Sequence, residues 1–179
     1  MVSAEEATLV VIDVQEKLSR VIFQRENLID NLKRLIQGTQ VLGVPILLTE
    51  QYPQGLGPTI NEVSTLLPDI EPLPKVCFSC YGDGNFVREL QKQRRKQVII
   101  SGIESHVCVY QTAADLVNAG YEVHFVTDCI SSRTPENREI GFQKMSQIGA
   151  TLTSTETILF EMLRLAEGEK FKRISQIVR

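Results

Sequence analysis

The feature that most constrains this chain is the alternation of two hydrophobic periods along it. Short apolar runs, Thr8 to Ile12, Pro45 to Leu48, Val98 to Ile100 and Val123 to Val126, are rich in Val and Ile and have the length of strands. They are apolar almost without interruption, which predicts strands covered on both faces, as in a parallel sheet. Between the first two runs, Leu28, Ile29, Leu32, Leu35, Ile36 and Thr39 recur at helical spacing. That spacing predicts a helix with one apolar stripe, ended by Gly43. Phe86 to Arg94, Val107 to Ala119 and Glu136 to Ile148 repeat the scheme. Thr134 suits the cap of the last of these helices and Pro135 its first position. The repeat predicts an α/β fold: a three-layer αβα, Rossmann-like parallel sheet of about six strands with helices on both faces. A length of 179 residues suits one domain spanning 1–179.

In open sheets of this kind ligands bind at the carboxyl ends of the strands, so the residue that closes each apolar run is informative. Asp13, in LVVIDVQ, stands where the first strand stops, either as a functional carboxylate or as a cap or turn residue. Cys108 lies in VIISGIESHVCVYQTAADL. There Gly102 ends a strand, Ser105 is expected to cap the next helix, and the cysteine falls in its first turn. Unpaired amides and the helix dipole at that place favour a thiolate; the alternative is a buried structural cysteine. Lys75, in EPLPKVCFS, follows two prolines that fix the backbone before it. By itself it reads equally as a surface lysine.

Together these segments resemble the isochorismatase-like cysteine hydrolases, over most of the chain. The likeness rests on an Asp closing the first strand (VVIDVQ), a Lys after the third (PKVCFS) and a Cys after a Gly-Ile segment (SGIESHVCVYQTA). It implies a catalytic set of Asp13, Lys75 and Cys108. It also implies a non-proline cis peptide between Ile103 and Glu104, with the amides of Glu104 and Cys108 as oxyanion donors. Glu104 stands where many relatives have a small residue, and its side chain either shapes substrate choice or points away. Glu50, Gln51 and Tyr52, after the second strand, and Phe78 and Tyr81, after Lys75, flank this site and are expected to bind substrate; core packing is the alternative for the aromatic rings. TEQYPQGLGPT resembles the branch of small members with mostly unassigned substrates and lacks the histidine of the nicotinamidase metal site. No metal or other cofactor is therefore expected.

The implied reaction is hydrolysis of a small amide or related C–N compound through a Cys108 thioester. An enol-ether hydrolase that does not use the thiol, and a non-catalytic small-molecule-binding protein, are the alternatives.

Composition narrows the partners. With 19 Lys and Arg against 22 Asp and Glu and a pI near 5.5, the chain has no basic footprint for nucleic acid. The QKQRRK run from Gln91 to Lys96 reads as a solvated helix end. The amino terminus lacks a secretory pattern, and no apolar run approaches the ~20 residues of a membrane span, so a cytoplasmic protein without a membrane partner is expected. Cys77 and Cys80 form a C-x-x-C without a second pair, which argues against zinc and redox use. His106, two residues from Cys108, should face away from it on a helix. His124 should pack on a sheet face. Asp128 and Arg133 read as structural or interfacial, and relatives of this type assemble, so a homo-oligomer is expected.

Overall fold

The computed structural model describes residues 1–179. Six strands form one parallel sheet in the order β3-β2-β1-β4-β5-β6, where β1 is Ala7–Ile12, β2 Ile46–Gln51, β3 Leu73–Lys75, β4 Gln97–Ile103, β5 Glu122–Ser131 and β6 Thr151–Thr153. The helices are α1 (Glu16–Ser19), α2 (Arg25–Leu42), α3 (Pro53–Leu56), α4 (Asn61–Ser64), α5 (Gly84–Lys92), α6 (Tyr110–Asn118), α7 (Pro135–Gln147), α8 (Thr155–Leu163) and α9 (Gly168–Ile177).

The sheet is covered on both sides, as the uninterrupted apolar runs require. Along β1, Leu9 and Val11 face one core with Leu32, Leu35 and Ile36 of α2 and Ile158 and Leu159 of α8. Val10 and Ile12 face a second core with Phe86 and Leu90 of α5, Leu116 of α6 and Met145 of α7. Thr134 caps α7, accepting from the Asn137 amide, with Pro135 at the first position. Gly43 closes α2 at φ 74°. His124 is buried in β5, and burial holds its imidazole below the ordinary value.

The turn-rich segment from Gln51 to Pro58 begins inside β2 and contains the one-turn α3. Two local expectations are corrected. Gly102 lies within β4 and does not end it. It sits at φ 113° because a Cβ there would lie 2.1 Å from the Ile12 carbonyl oxygen, so only glycine lets β4 close against the end of β1. Ser105 caps no helix: its hydroxyl donates to the Arg138 carbonyl, and a π turn, Ser105–Val109, precedes α6. Gly141 of α7 lies against Ser105, where any Cβ would overlap the serine hydroxyl. The turn carrying Cys108 is thereby fixed from outside.

Candidate active site

The strand order reverses between β2-β1 and β4, the crevice where α/β folds collect their ligands. Asp13 is the first residue beyond β1 and takes a left-handed backbone, φ 53°. Lys75 ends β3, and Cys108 sits in the π turn after β4. All three side chains are buried.

Lys75 Nζ donates to Asp13 Oδ2 at 2.7 Å, and the two side chains are 1% and 0% exposed. The ammonium also donates to Gln51 Oε1 at 2.8 Å and to the carbonyls of Phe78 and Cys77 at 3.1 and 3.3 Å. The loop after β3 therefore curls round the cation and satisfies it, as a buried charge requires. Asp13 Oδ1 accepts from Thr49 Oγ1 at 2.7 Å, and the Cys108 thiol lies within the field of the same carboxylate. Asp13 thus caps no helix, its carbonyl accepts from the Gln15 amide at 2.8 Å in a tight turn while its carboxylate serves the site, and Lys75 is not a surface lysine.

The resting state of the sulfur differs from the sequence expectation. Burial first, then the Asp13 carboxylate, push the Cys108 thiol well above its ordinary value, with Lys75 pulling the other way. The turn amides do not outweigh that anion, so the cysteine rests as a thiol near a carboxylate. Burial also opposes the charge on Lys75, but the acidic groups Cys80, Asp13 and Cys108 around it outweigh that and its value is raised, so Lys75 keeps its proton.

The bond between Ile103 and Glu104 is cis. Glu104 turns from the sulfur toward Arg133, whose backbone amide and Nε both donate to its Oε1 at 3.2 and 3.0 Å. His106 faces away, its Nδ1 3.0 Å from Ser132 Oγ.

The flanking residues divide. Gln51 belongs to the site through Lys75, whereas Glu50 Oε1 accepts from the amide and hydroxyl of Thr59 and braces the following loop. Tyr52 and Phe78 are each 54% exposed at the sheet's carboxyl edge, so neither is a core ring. Tyr81 leaves the site: its ring packs edge-on against Tyr121, 6.3 Å away, just before the amino end of β5. Asp128 accepts from the Thr155 amide and hydroxyl and so ties β5 to the start of α8, a structural contact.

Sequence reasoning missed Thr49, Gln15 and the place of Cys80. Gln15 receives the Gln51 amide and donates to the Gln51 and Gly57 carbonyls, tying the β1 and β2 ends together. Its only signal was its position two residues after Asp13. Cys80 is fully buried, its sulfur 3.7 Å from Thr49 Oγ1, and burial with the charge of Asp13 pushes its thiol up to about 12. The C-x-x-C is not bonded, and all four cysteines are free. No group of three His, Cys, Asp or Glu side chains is placed to hold a metal ion.

A buried carboxylate, ammonium and thiol meeting at the switch point of a parallel sheet define an α/β protein of the hydrolase type. Residues 7–157 match the Isochorismatase domain, and the chain belongs to the isochorismatase-like family of hydrolases. Isochorismatase domain-containing protein 2 of Danio rerio is 36% identical over 98% of this chain and 88% of its own length. The MAR1 ribonuclease structure from Caenorhabditis elegans superposes with a TM-score of 0.90 at 35% identity, covering 99% of this chain and 91% of that one. The YcaC gene product of Escherichia coli, an octameric hydrolase of unknown specificity, shares the fold with a TM-score of 0.93 at 22% identity, covering 98% of this chain and 88% of that one.

Proposed function

We propose that this protein is a cysteine hydrolase that cleaves a small amide or a related C–N compound through a thioester on Cys108. The observation that carries this reading is the convergence on one carboxylate: Asp13 is held by Lys75 at 2.7 Å, and its charge bears on the buried Cys108 thiol. Asp13 takes the thiol proton as the sulfur attacks the carbonyl carbon. Oxyanion charge develops against the amides of Glu104 and Cys108. Protonated Asp13 then gives that proton to the leaving nitrogen, and the C–N bond breaks. Water, deprotonated by Asp13, attacks the thioester, and the returning thiol is reprotonated. Lys75 holds Asp13 in place throughout. Tyr52 and Phe78 form the apolar rim over the substrate, and Gln51 aligns Lys75.

A raised thiol value is the observation that favours a second reading, an enol-ether hydrolase in which Asp13 acts as an acid and the sulfur stays protonated. Turnover of an amide panel by wild type, Cys108→Ala and Asp13→Ala separates the two. The thioester route requires Cys108→Ala to lose three or more orders of magnitude, the scale of a lost nucleophile, and an acyl adduct at Cys108 by mass spectrometry. An active Cys108→Ala with an inactive Asp13→Ala would establish the enol-ether route, and ligand binding without product from any variant would leave a binding protein.

The ribonuclease name of the nematode neighbour points to another substrate class, against which stands the absence of a basic track in a chain of net charge -3. No helix is long and apolar enough to cross a membrane, and four free thiols suit a reducing cytoplasm. We assign the chain to a homo-oligomer on its exposed apolar groups, Leu152 of the edge strand β6 and Ile140 of α7 among them, to be measured by analytical ultracentrifugation.

A further inference from the structure

Beyond β5 the chain runs through Ser131, Ser132 and Arg133, and it is tied down on both sides. Ser131 Oγ donates to the Phe23 carbonyl at 2.7 Å, the Phe23 amide donates to the Ser132 carbonyl at 2.9 Å, and Ser132 Oγ meets His106. This fixed backbone delivers Arg133 to Glu104. The pair is unequal: the Glu104 side chain is 10% exposed and the Arg133 side chain 57%. Nothing else in the protein bonds to the Glu104 carboxylate, so a costly buried acid serves to hold one exposed arginine. Arg133 spends its backbone amide and Nε on that acid, which leaves both Nη groups without a protein partner on a half-exposed side chain, a fork held from one side.

The pair stands at the same end of the sheet as the sulfur. The Glu104 carbonyl accepts from the amides of Val107 and Val109, which flank Cys108, so Glu104 and Cys108 share one turn. The opposite rim, across β1, carries Tyr52, Phe78 and Val76, all more than half exposed. A site with a guanidinium fork on one side and apolar groups on the other selects a short ligand with an anionic end.

We propose that Arg133, positioned by Glu104, is a carboxylate clamp at the mouth of the site, and that the substrate is a short-chain amide carrying a carboxylate. This rests on the hydrolase reading for the identity of the reacting sulfur. Arg133 is the specificity-determining residue and Glu104 a positioning residue.

The test compares alkylation of Cys108 by anionic iodoacetate and neutral iodoacetamide, which transfer similar groups to the same sulfur with loss of iodide. The expected result is an iodoacetate-to-iodoacetamide rate ratio about tenfold lower in Arg133→Gln than in wild type, the scale of one charge-assisted contact. Glu104→Gln, which leaves the guanidinium in place but loosens it, lowers the ratio by a smaller factor, and the ratio at Cys77 stays constant. Succinate, used as a carboxylate probe in thermal unfolding at fixed ionic strength, raises the melting temperature of wild type and not of Arg133→Gln. A Cys108 ratio unchanged in Arg133→Gln, or a succinate effect that is absent in wild type or survives in the variant, overturns the clamp. If neither reagent labels Cys108 while succinate still distinguishes the variants, the thioester reading falls and the clamp stands.

Discussion

Replacing Lys75 by Met keeps the volume of the side chain and deletes its charge. Asp13 then remains 0% exposed with one neutral hydrogen-bond donor, Thr49 Oγ1. The carbonyls of Cys77 and Phe78 and the Gln51 amide oxygen lose their donor as well. Breaking a buried pair from one side costs about 3–5 kcal/mol, because the surviving charge is neither solvated nor paired. Domains are stable by only about 5–15 kcal/mol in all, so Lys75→Met should be strongly weakened yet still foldable. At about 2–4 °C per kcal/mol for a chain of this size, the melting temperature falls by roughly 6–20 °C. The assay is urea unfolding at a fixed protomer concentration, run as a cycle with Asp13→Asn and the double variant. Asp13→Asn alone strands the lysine and costs a similar amount. The double variant should then be more stable than the sum of the singles predicts by about 3 kcal/mol, since it removes both charges together. A loss below about 1 kcal/mol in Lys75→Met, with additive singles, would refute the buried-pair geometry. A near-neutral double variant would instead show that the pair is kept for chemistry rather than stability.

Asp13→Asn removes the anion that raises the Cys108 thiol while Lys75 stays to lower it. Alkylation of Cys108 by iodoacetamide should therefore accelerate near neutral pH as amide turnover falls by about a hundredfold or more; slower alkylation would contradict the sign. The thiols of Cys80, Cys108 and Cys129 are all raised by burial, so the folded state holds protons that the unfolded state releases above about pH 8.5. Their stabilising effect is complete below that pH. Above it, stability should drop by up to about 1.4 kcal/mol per pH unit for each thiol as far as the folded values, and a flat urea midpoint between pH 8 and 10 would exclude this. Gly102→Ala places a methyl 2.1 Å from the Ile12 oxygen at φ 113°. It should cost at least about 3 kcal/mol by thermal unfolding, and a variant as stable as wild type would show that β4 has room to shift.

The sequence by itself determined the layered parallel sheet and two of the places where the proposed chemistry stands. Uninterrupted Val and Ile runs carry their burial in their own composition, and a strand end is marked by the polar residue that stops it, as at Asp13. The turn before α6 was legible in SGIESHVC for the same local reason. β3 and β6 were not: with only three residues each, LPK and TLT, they are too short to show a period. Tertiary structure alone decided that Lys75 is buried, since its partner Asp13 lies 62 positions away, and that Thr49, 36 positions from Asp13, completes the carboxylate's bonds. It sent Tyr81 away to Tyr121 and turned Glu104 toward Arg133. It also set the protonation of Cys108, where the turn favours a thiolate and the proximity of Asp13 opposes it. Periodicity is a property of neighbours in the chain, whereas charge, desolvation and hydrogen-bond partners at this site come from strand ends that only the crossover topology brings together.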